Sequence, residues 1–510
     1  MNVIDTYLNM FTMYRVTLYY LILLACIATV IGFTGKLPYS ALEIAFSSTI
    51  FVVVCFIANF ILAKLFRAVT NIESVFITAL ILTLIVPPTI FTNGFLLIFV
   101  GILAMASKYL LTVDKRHVFN PAAIGVYMTT ILFPNYVATW WIGNQYMLPF
   151  VVIGGFLVVR KIRRERMVLT FLGTFFVLSA FGSYLHNGTA TTIITTWQRS
   201  LFSSAVIFFS SIMLTEPLTS PPTKKLQSLY GVLVGILYAT PLVRLWGLVF
   251  TPEVALLLGN VFSYIVSPKY RFILKLVRKI KISPDTYLFD FGKIEKFAFI
   301  PGQYFEWTLP HPEADGRGNR RYFSIASAPH ENLMMAVKFY EPSSSFKKAL
   351  LSLPENSEII ATGLAGDFVL PKKDIPLVLI AGGVGMAPFR SILEDIVEKK
   401  RKVDIVVIFA NKRREDIIFG ETLKKAEAYG VRTVYVLTDK EHLPIGWNGY
   451  SGHITEEIIQ KEIPDHKVRN FMISGPQLMV QNFEKILISS GVPRNHIHTD
   501  FFPGYSETTA

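Results

Sequence analysis

Long apolar segments dominate the first half of the chain, and shorter alternating segments dominate the second half. Up to about residue 266, apolar runs approach the roughly 20 residues that span a bilayer and are separated by short polar breaks. This pattern predicts a polytopic α-helical membrane domain of about ten spans, some of them tilted or broken. The predicted spans are centred on residues 18–31, 44–62, 75–85, 95–106, 122–133, 150–159, 168–180, 201–214, 230–238 and 254–266.

The composition agrees with a membrane half. Hydrophobic residues make up 52% of the chain, and its mean hydropathy is +0.46, which exceeds that of ordinary soluble chains. The formal net charge of +13 could indicate nucleic-acid binding, but the Lys and Arg residues lie mostly in short loops between apolar runs. We therefore predict no nucleic-acid partner and expect the lipid bilayer to surround this half.

The basic residues of these loops predict an orientation. If the N-terminus is cytoplasmic, thirteen Lys and Arg residues fall in inward segments, against only Lys36, Arg199 and Arg244 outside. An even number of spans then returns the chain to the cytoplasm near Pro268. The sequence predicts a multi-pass protein of the cell membrane whose second half is cytoplasmic.

The second half contains a glycine-rich turn between a predicted strand and a predicted helix. Residues 376–388 read PLVLIAGGVGMAP, an apolar run followed by Gly382, Gly383 and Gly385 and then by Pro388. Such a turn lets phosphate approach bare backbone, and the N–H groups that open the helix favour an anion. Residues 403–410, 432–438 and 470–475 are further buried-strand candidates separated by charged helical stretches, which predicts a doubly wound α/β sheet.

Short alternating segments lie between the last predicted span and this sheet. The segments DTYLFDFG, YFEWTLP, RYFSIAS and MMAVKFY are separated by turn residues and predict a small antiparallel β-barrel. The sequence thus predicts three domains, at residues 1–267, 268–373 and 374–510.

The segment from Arg321 to Ser327 closely resembles the flavin motif of the ferredoxin–NADP reductase superfamily, Arg-x-aromatic-Ser-x-x-Ser. The resemblance implies FAD, with Arg321 as a charged fork for the pyrophosphate, Phe323 as a flat face for the isoalloxazine, and Ser324 as the partner of flavin N5. The segment GLAGDFVLP matches the end of the family's barrel. The other residues assigned to the FAD site are Tyr322, Ser327, Lys338, Ser345 and Gly366.

The nicotinamide site follows from the same resemblance. The segment 382–388 and the triplet Ser474, Gly475 and Pro476 match the family's site, with Ser474 where many members have cysteine, and Phe502 lies where the family ends in an aromatic residue. Lys412, Arg413 and Arg414 could bind a 2′-phosphate or form a solvated turn, so NADH is favoured but NADPH stays open. The residues predicted to act in hydride transfer are Phe323, Ser324, Ser474 and Phe502.

Three segments of the membrane half resemble a second family. The segments KRHVFNPAAIG, SIMLTEPLTSPPTKKLQSLYGVLVG and PEVALLLGN resemble the B subunit of the sodium-pumping NADH:quinone oxidoreductase and the D subunit of the Rnf complex. The resemblance implies a ten-helix membrane fold that carries flavin. Asn120 and Glu216, each followed by proline, could instead only start or end helices, although polar residues within a membrane are costly without a role.

The family binds flavin mononucleotide (FMN) through a threonine near the outer surface. Here the segment 184–198 is predicted to be an outer loop, in which Thr189 and Thr191 are the candidate FMN residues. The family's Ser-Gly pair is absent before Thr191, so the sequence leaves open both covalent attachment and an ordinary solvated loop.

These features predict a membrane flavoprotein that passes electrons from cytoplasmic NAD(P)H through FAD and then a membrane flavin to a quinone or an outer acceptor. The chain has only Cys26 and Cys55, too few for an iron–sulfur cluster, and we predict no metal site. A haem-type ferric reductase is an alternative, but His117 and His186 are the only histidines of the membrane half and lie at opposite faces in the predicted topology. A transporter with a redox-sensing domain is a second alternative. A homo-oligomer or partner subunits are compatible with each reading.

Overall fold

A computed structural model of the chain describes residues 7–8, 11–66, 71–90, 94–113, 116–134, 136, 138–187, 189–243, 250–267, 270–295, 297–312, 315, 319–371 and 375–500. The chain forms two compact units, which meet in sequence between Ser267 and Pro268. The predicted boundary between the barrel and the nucleotide-binding domain, at residues 373 and 374, lies outside the described residues.

The N-terminal unit is helical. A short antiparallel pair of strands, β1 (Thr112–Val113) and β2 (Arg116–His117), lies between two of its helices. The helices are α1 (Met13–Gly32), α2 (Ala41–Leu65), α3 (Ile72–Ile85), α4 (Gly94–Leu110), α5 (Pro121–Leu132), α6 (Leu148–Ile162), α7 (Glu165–Asn187), α8 (Ala190–Phe202), α9 (Val206–Phe208), α10 (Lys224–Val243) and α11 (Pro252–Val266).

Three helices of the described residues are long and apolar enough to cross a membrane, namely Met13–Gly32, Ala41–Leu65 and Glu165–Leu185. The prediction of about ten spans is therefore not confirmed. Several apolar helices of the described residues have only 10–17 residues, and the 12 residues of α5 extend for ~18 Å at 1.5 Å per residue. Proline marks some of their ends, as at the first position of α5 and of α11.

The predicted outer loop at residues 184–198 is mostly helical, so that prediction is wrong. Thr189 caps α8 by accepting a hydrogen bond from the Thr192 N–H at 3.3 Å. Trp197 Nε1 then donates to the Phe176 carbonyl of α7 at 3.1 Å, and α7 and α8 form a helical hairpin. The threonine-rich sequence obscured this helix because β-branched residues lower helix propensity, which tertiary packing overrides.

The C-terminal unit begins with antiparallel strands. Their predicted positions are confirmed, and they form a four-stranded sheet in the order β3-β9-β6-β7 and a three-stranded sheet in the order β4-β5-β8. One helix, α12 (Ser345–Ser352), precedes the last strand. The strands are β3 (Arg271–Lys275), β4 (Arg278–Ser283), β5 (Thr286–Asp290), β6 (Tyr304–Thr308), β7 (Arg320–Ser324), β8 (Met334–Lys338) and β9 (Glu358–Ala365).

A six-stranded parallel sheet follows, in the order β13-β12-β11-β10-β14-β15. Apolar cores cover both faces, as expected for continuous hydrophobic strands in a parallel sheet. The elements are β10 (Leu377–Gly382), α13 (Met386–Glu398), β11 (Ile405–Asn411), α14 (Gly420–Glu427), β12 (Val431–Leu437), β13 (Tyr450–Ser451), α15 (Glu456–Glu462), β14 (Asn470–Ser474), α16 (Gln477–Ser489) and β15 (Ile497–Asp500).

Candidate functional sites

Strand β7 presents the predicted flavin residues alternately on its two sides, as a period of two requires. Arg321 and Phe323 share one side, where both lie against Phe346 of α12. The Arg321 guanidinium carbon is 5.2 Å from the centre of the Phe346 ring, and the Phe323 ring is 6.1 Å from it. The structure therefore brings together the cation and the aromatic face that the sequence predicted.

Tyr322 and Ser324 point to the other side of β7. The Tyr322 hydroxyl donates to Glu306 Oε1 at 3.1 Å, and the Tyr322 ring meets the Tyr304 ring edge-on with 5.6 Å between centres. Ser324 is buried at the end of the strand, where it pairs with Tyr304. Tyr322 is thus held by Glu306 and Tyr304. Ser324 lies at the last position of β7, where the chain leaves the barrel.

A helix start lies close to Arg321. Ser345 is the first residue of α12, and its backbone N–H donates to Asp315 Oδ2 at 2.9 Å. The other oxygen of Asp315 is 3.8 Å from Arg321 Nη2. A carboxylate therefore lies between the guanidinium and a helix N-terminus, the arrangement of donors that also suits a phosphate group.

The remaining residues assigned to the FAD site have defined positions. Lys338 Nζ forms an ion pair with Asp285 Oδ2 at 3.0 Å. Gly366 has a φ of +121°, and a Cβ there would lie 3.2 Å from the Tyr304 ring, so the position favours glycine. Ser327 is fully buried, and its Oγ accepts a hydrogen bond from the Met334 N–H at 2.9 Å.

The glycine turn joins β10 to α13 as the sequence predicts, but its glycines are needed for different reasons. Gly383 has a φ of +51°, yet a Cβ added there would meet no atom within 4 Å. At Gly385 a Cβ would lie 2.3 Å from the Ser474 carbonyl oxygen, and at Gly382 it would lie 2.3 Å from Met479 Sδ. Pro388 is the third residue of α13, within the first turn, where its missing N–H costs no helical hydrogen bond.

The second part of the predicted nicotinamide site lies directly beside this turn. Ser474 ends β14, pairs with Ala381 of β10 and is buried. Gly475 follows, and Pro476 immediately precedes α16. The carboxyl ends of the neighbouring strands β10 and β14 thus meet here, where doubly wound sheets bind ligands. Phe502 lies outside the described residues.

Sequence reasoning missed a buried contact between the barrel and the parallel sheet. Arg390 of α13 donates from Nη1 to the Ala326 carbonyl at 2.7 Å and forms a two-pronged ion pair with Glu331, at 2.9 and 2.8 Å. Ser391 donates to the Ser327 carbonyl at 2.6 Å. The contact holds the segment that follows β7 against α13, the helix after the glycine turn. A charged residue on the otherwise apolar face of α13 was the signal.

The ion pair with Arg390 also affects the ionisation of Glu331. Burial opposes the ionisation of Glu331, but the hydrogen bonds and charge of Arg390 outweigh that cost and hold the pKa of Glu331 below its ordinary value of 4.5. Glu331 also accepts the Ala328 N–H at 2.7 Å, which acts in the same direction.

In the basic turn after β11, formed by Lys412, Arg413 and Arg414, Arg413 is already paired with acidic side chains. Arg413 Nε donates to Asp439 Oδ2 at 3.0 Å, and Arg413 Nη1 lies 3.8 Å from Glu415. Hydrogen bonds from His442 and Arg413 lower the pKa of Asp439 to about 2, so this carboxylate is ionised at neutral pH. The carboxyl edge of the sheet therefore carries a negative charge next to the paired arginine.

The membrane-type unit contains a buried polar cluster built from distant segments. Asn120 caps α5, and its Nδ2 donates to Glu216 Oε2 at 2.9 Å, while Thr219 Oγ1 donates to the same oxygen at 3.0 Å. Asn260 of α11 accepts the Asn120 N–H at 2.9 Å and donates to the Tyr230 hydroxyl at 3.1 Å. Asn120 and Glu216 therefore do more than delimit helices.

A cavity adjoins this cluster. Its walls are mostly apolar, including Ile81 and Val158, and its polar lining includes Asn120, Thr215 and Glu216. His117 Nε2 lies 3.4 Å from the other Glu216 oxygen. A five-residue π-helical turn, Phe209–Met213, precedes this part of the wall, and such turns are frequent at functional sites.

The predicted FMN threonines lie at the start of α8. Thr189 is the N-cap, and its hydroxyl lies 2.6 Å from the Thr192 hydroxyl. Thr191 is exposed in the first turn. The structure thus places both residues at a helix N-terminus and not in the predicted loop.

Two family models match the chain. The model described as "NQR2, RnfD, RnfE family" matches residues 141–270, and the model described as "Oxidoreductase NAD-binding domain" matches residues 379–485. The two matches lie in the two units of the fold and agree with the two resemblances drawn from the sequence.

Curated relatives match a little under half of the chain. The fruit protein pKIWI502 of Actinidia deliciosa is 30% identical over 44% of this chain and 71% of its own length. The glycine betaine monooxygenase reductase subunit of Chromohalobacter salexigens is 24% identical, with 44% of this chain and 63% of the relative covered. Among solved structures, the Amycolatopsis cytochrome P450 reductase GcoB is 24% identical with a TM-score of 0.41, over 47% of this chain and 71% of that chain.

The two family models and the curated relatives agree with the two motifs described above. The chain therefore belongs to the ferredoxin–NADP reductase-like NAD(P)H-dependent flavin oxidoreductases, and it joins that reductase to a membrane segment of the NQR2, RnfD, RnfE family.

Proposed function

We propose that the chain is a membrane-bound NADH oxidoreductase that passes electrons from FAD in the reductase unit into the membrane unit, where a quinone accepts them. The observation that carries this proposal is the buried Asn120–Glu216–Asn260 cluster next to an apolar cavity, in the same chain as a complete reductase. An apolar cavity with a few convergent polar groups suits the ring and tail of a quinone. The reductase unit lies on the cytoplasmic side of the predicted topology.

FAD would be held noncovalently by the residues of β7 and α12. Arg321 and the N-terminal N–H of Ser345 offer donors for the pyrophosphate, which would replace the Asp315 carboxylate between them. Phe323 offers its ring to the isoalloxazine, and Ser324 its hydroxyl to N5. Bound FAD would supply the chemistry of accepting a hydride and releasing electrons.

NADH would bind at the carboxyl edge of the parallel sheet. The bare backbone of Gly383 and Gly385 and the start of α13 fit a pyrophosphate, and Ser474 and Phe502 are proposed to lie by the nicotinamide. Asp439 favours NADH over NADPH, because its carboxylate can accept a ribose 2′-hydroxyl but repels a 2′-phosphate. Arg413, already paired with Asp439, offers little compensation.

The acceptor reaction needs protons as well as electrons. A quinone takes up two electrons and two protons to become a quinol, and the overall reaction is NADH, H⁺ and quinone giving NAD⁺ and quinol. Glu216 lines the cavity, and His117 Nε2 lies 3.4 Å from its carboxylate, so these two side chains are proposed to pass a proton to the quinone. The Asn120 amide holds Glu216 in place.

The decisive experiment separates the two half-reactions. In Glu216→Gln, we expect NADH to bleach the FAD at the parent rate, while quinone reduction in proteoliposomes falls at least about tenfold, or ~1.4 kcal/mol. Thr29→Val is a matched control, because among the described residues the Thr29 hydroxyl donates only to Ala25 O of its own helix. Equal quinone reduction by Glu216→Gln and the parent enzyme would overturn the acceptor site.

A second flavin, FMN, is proposed for the membrane unit, at the start of α8. The exposed Thr191 and the helix N-terminus are compatible with a phosphate group. Acid extraction and chromatography should release FMN alongside FAD if FMN is bound noncovalently. If it is covalent, flavin fluorescence should stay on the denatured chain and disappear in Thr191→Ala. Finding FAD as the sole flavin, both extracted and bound, would remove this part of the route.

A further inference from the structure

Asn411 has an unusual side chain for a buried residue. It ends β11, and only 4% of its surface is exposed. Neither Oδ1 nor Nδ2 has a hydrogen-bond partner within the part of the chain that the structure describes. Because a buried amide with no partner is unfavourable, such a group generally belongs with a ligand or an ordered water.

The backbone register places Asn411 next to the glycine turn. Ala410 pairs with Gly382 of β10, so Asn411 is level with the first residue of that turn. Along β11, Val407 and Phe409 belong to the core that also includes residues of α13, and Asn411 continues that row by strand alternation. Its amide therefore lies on the α13 face of the sheet, at the carboxyl edge.

The turn itself leaves room for a ligand. A Cβ built on Gly383 would meet no atom within 4 Å, and α13 begins without a side-chain cap. The Met386 N–H that opens α13 already donates to the Gly383 carbonyl within the turn, and the Asn411 amide is an unpaired polar group at the same edge among the described residues.

We infer that Asn411 binds a ribose of the dinucleotide beside the glycine turn. The inference rests on the proposed NADH site and adds a residue to it. A phosphate oxygen only accepts hydrogen bonds and would leave Asn411 Oδ1 without a partner. A ribose diol both donates and accepts, so it satisfies Oδ1 and Nδ2 together, and riboses flank the pyrophosphate on both sides.

The test uses the FAD-loaded full chain in nanodiscs. Asn411→Leu keeps the approximate shape but removes both polar atoms. We expect the Kd for NAD⁺, measured by calorimetry, to rise at least about tenfold. We also expect the thermal midpoint without NAD⁺ to stay or rise, since the unpaired polar atoms are gone.

Thr433→Val is the matched control. Thr433 Oγ1 is also buried without a partner in the described chain, but it lies within β12 and not at its carboxyl end. This variant should leave the Kd for NAD⁺ unchanged. A lower thermal midpoint in Asn411→Leu with an unchanged Kd would overturn the inference and indicate a buried water instead.

Two further measurements distinguish an error in the role of Asn411 from an error in the NADH site. An NAD⁺ analogue whose ribose hydroxyls are replaced by hydrogen should bind the parent more weakly, with no additional loss in Asn411→Leu. If Asn411→Leu does not fold, Asn411→Asp, which keeps the shape but replaces the Nδ2 donor with a second acceptor oxygen, must weaken binding as well. Failure of the parent chain to bind NAD⁺ would refute the NADH site itself, whereas equal binding by parent and variants would refute only the role of Asn411.

Discussion

The two units build their candidate sites in different ways. In the reductase unit, the site residues come from short motifs, and Arg321 and Phe323 reach the same ring because they are two residues apart on one strand. In the membrane-type unit, Asn120 meets Asn260 across 140 positions and Glu216 across 96. The first site depends on local backbone geometry, whereas the second depends on how helices pack.

The largest effect on the reductase site is expected from a side chain at Gly385, where the turn lies closest to the backbone of β14. In Gly385→Val, the new side chain would begin 2.3 Å from the Ser474 carbonyl oxygen, so β14 and the turn must separate. We expect stopped-flow bleaching of the flavin by NADH to slow at least about 100-fold, equivalent to ~2.7 kcal/mol. Gly420→Val is the control, because a Cβ at Gly420 meets no atom within 4 Å. A parent-like rate in Gly385→Val would contradict the assignment.

Removing Arg321, the charge proposed to bind the FAD pyrophosphate, should have the next largest effect. Arg321→Ala is expected to lose about 1.5–3 kcal/mol of FAD binding, since a charged hydrogen-bond partner is removed. The flavin-to-protein absorbance ratio after dialysis measures the loss. Arg320→Ala is the neighbouring control, because Arg320 lies 3.6 Å from Glu306 on the other side of the strand. The proposal requires that FAD content fall in the first variant and not in the second.

The Arg390–Glu331 ion pair, which joins the barrel to the parallel sheet, makes the stability of the reductase unit depend on pH. Because the pKa of Glu331 is lowered on folding, its stabilisation is complete above 4.5 and is lost as the pH falls through the folded-state value. Arg390→Met should therefore lower the free energy of unfolding of the reductase unit at neutral pH by about 1–3 kcal/mol. The difference from the parent should shrink in acid.

Chemical denaturation followed by flavin fluorescence at several pH values measures that difference. Lys399→Met is the control on the same helix, because the Lys399 side chain is 63% exposed in its pair with Asp395. A difference between Arg390→Met and the parent that stays constant from neutral to acid pH would contradict the role of the ion pair.

The smallest effect concerns the choice of coenzyme. Asp439→Asn removes the negative charge that disfavours a 2′-phosphate, so we expect the NADH-to-NADPH ratio of kcat/KM to fall about tenfold, or ~1.4 kcal/mol. Glu415→Gln serves as the control because it removes a charge near the same arginine at a longer distance of 3.8 Å. An unchanged ratio in Asp439→Asn would show that selectivity lies elsewhere.

The sequence predicted most of the reductase unit because its signals are local. Strand alternation, the glycine turn and the Arg321 motif each lie within a few residues, and all appear at the expected elements. The bridge from Arg390 to Glu331 joins residues 59 positions apart, so no local pattern could identify its partner. Likewise, Gly383 and Gly385 look alike in sequence. Only the fold shows that Gly383 is needed for its positive φ and Gly385 for its close approach to the Ser474 backbone.

The membrane half was harder to predict for the same physical reason. Asn120 and Glu216 stood out as polar residues in apolar surroundings, but their contact with each other and with Asn260 depends on tertiary packing. Hydropathy located most of the helices, but three of the described helices have the length and composition of a span, so the ten predicted spans are not confirmed. Helix α8 was missed because its threonines resemble a loop.

The joining of the two units in one polypeptide has a kinetic consequence. Electron delivery between separate proteins depends on collisions, so it slows when both are diluted in lipid. Between tethered partners the relevant quantity is an effective concentration set by the connection, which does not change on dilution. The stoichiometry of reductase to membrane unit is likewise fixed at one to one by translation. Turnover per molecule should therefore be independent of how densely the protein populates a membrane.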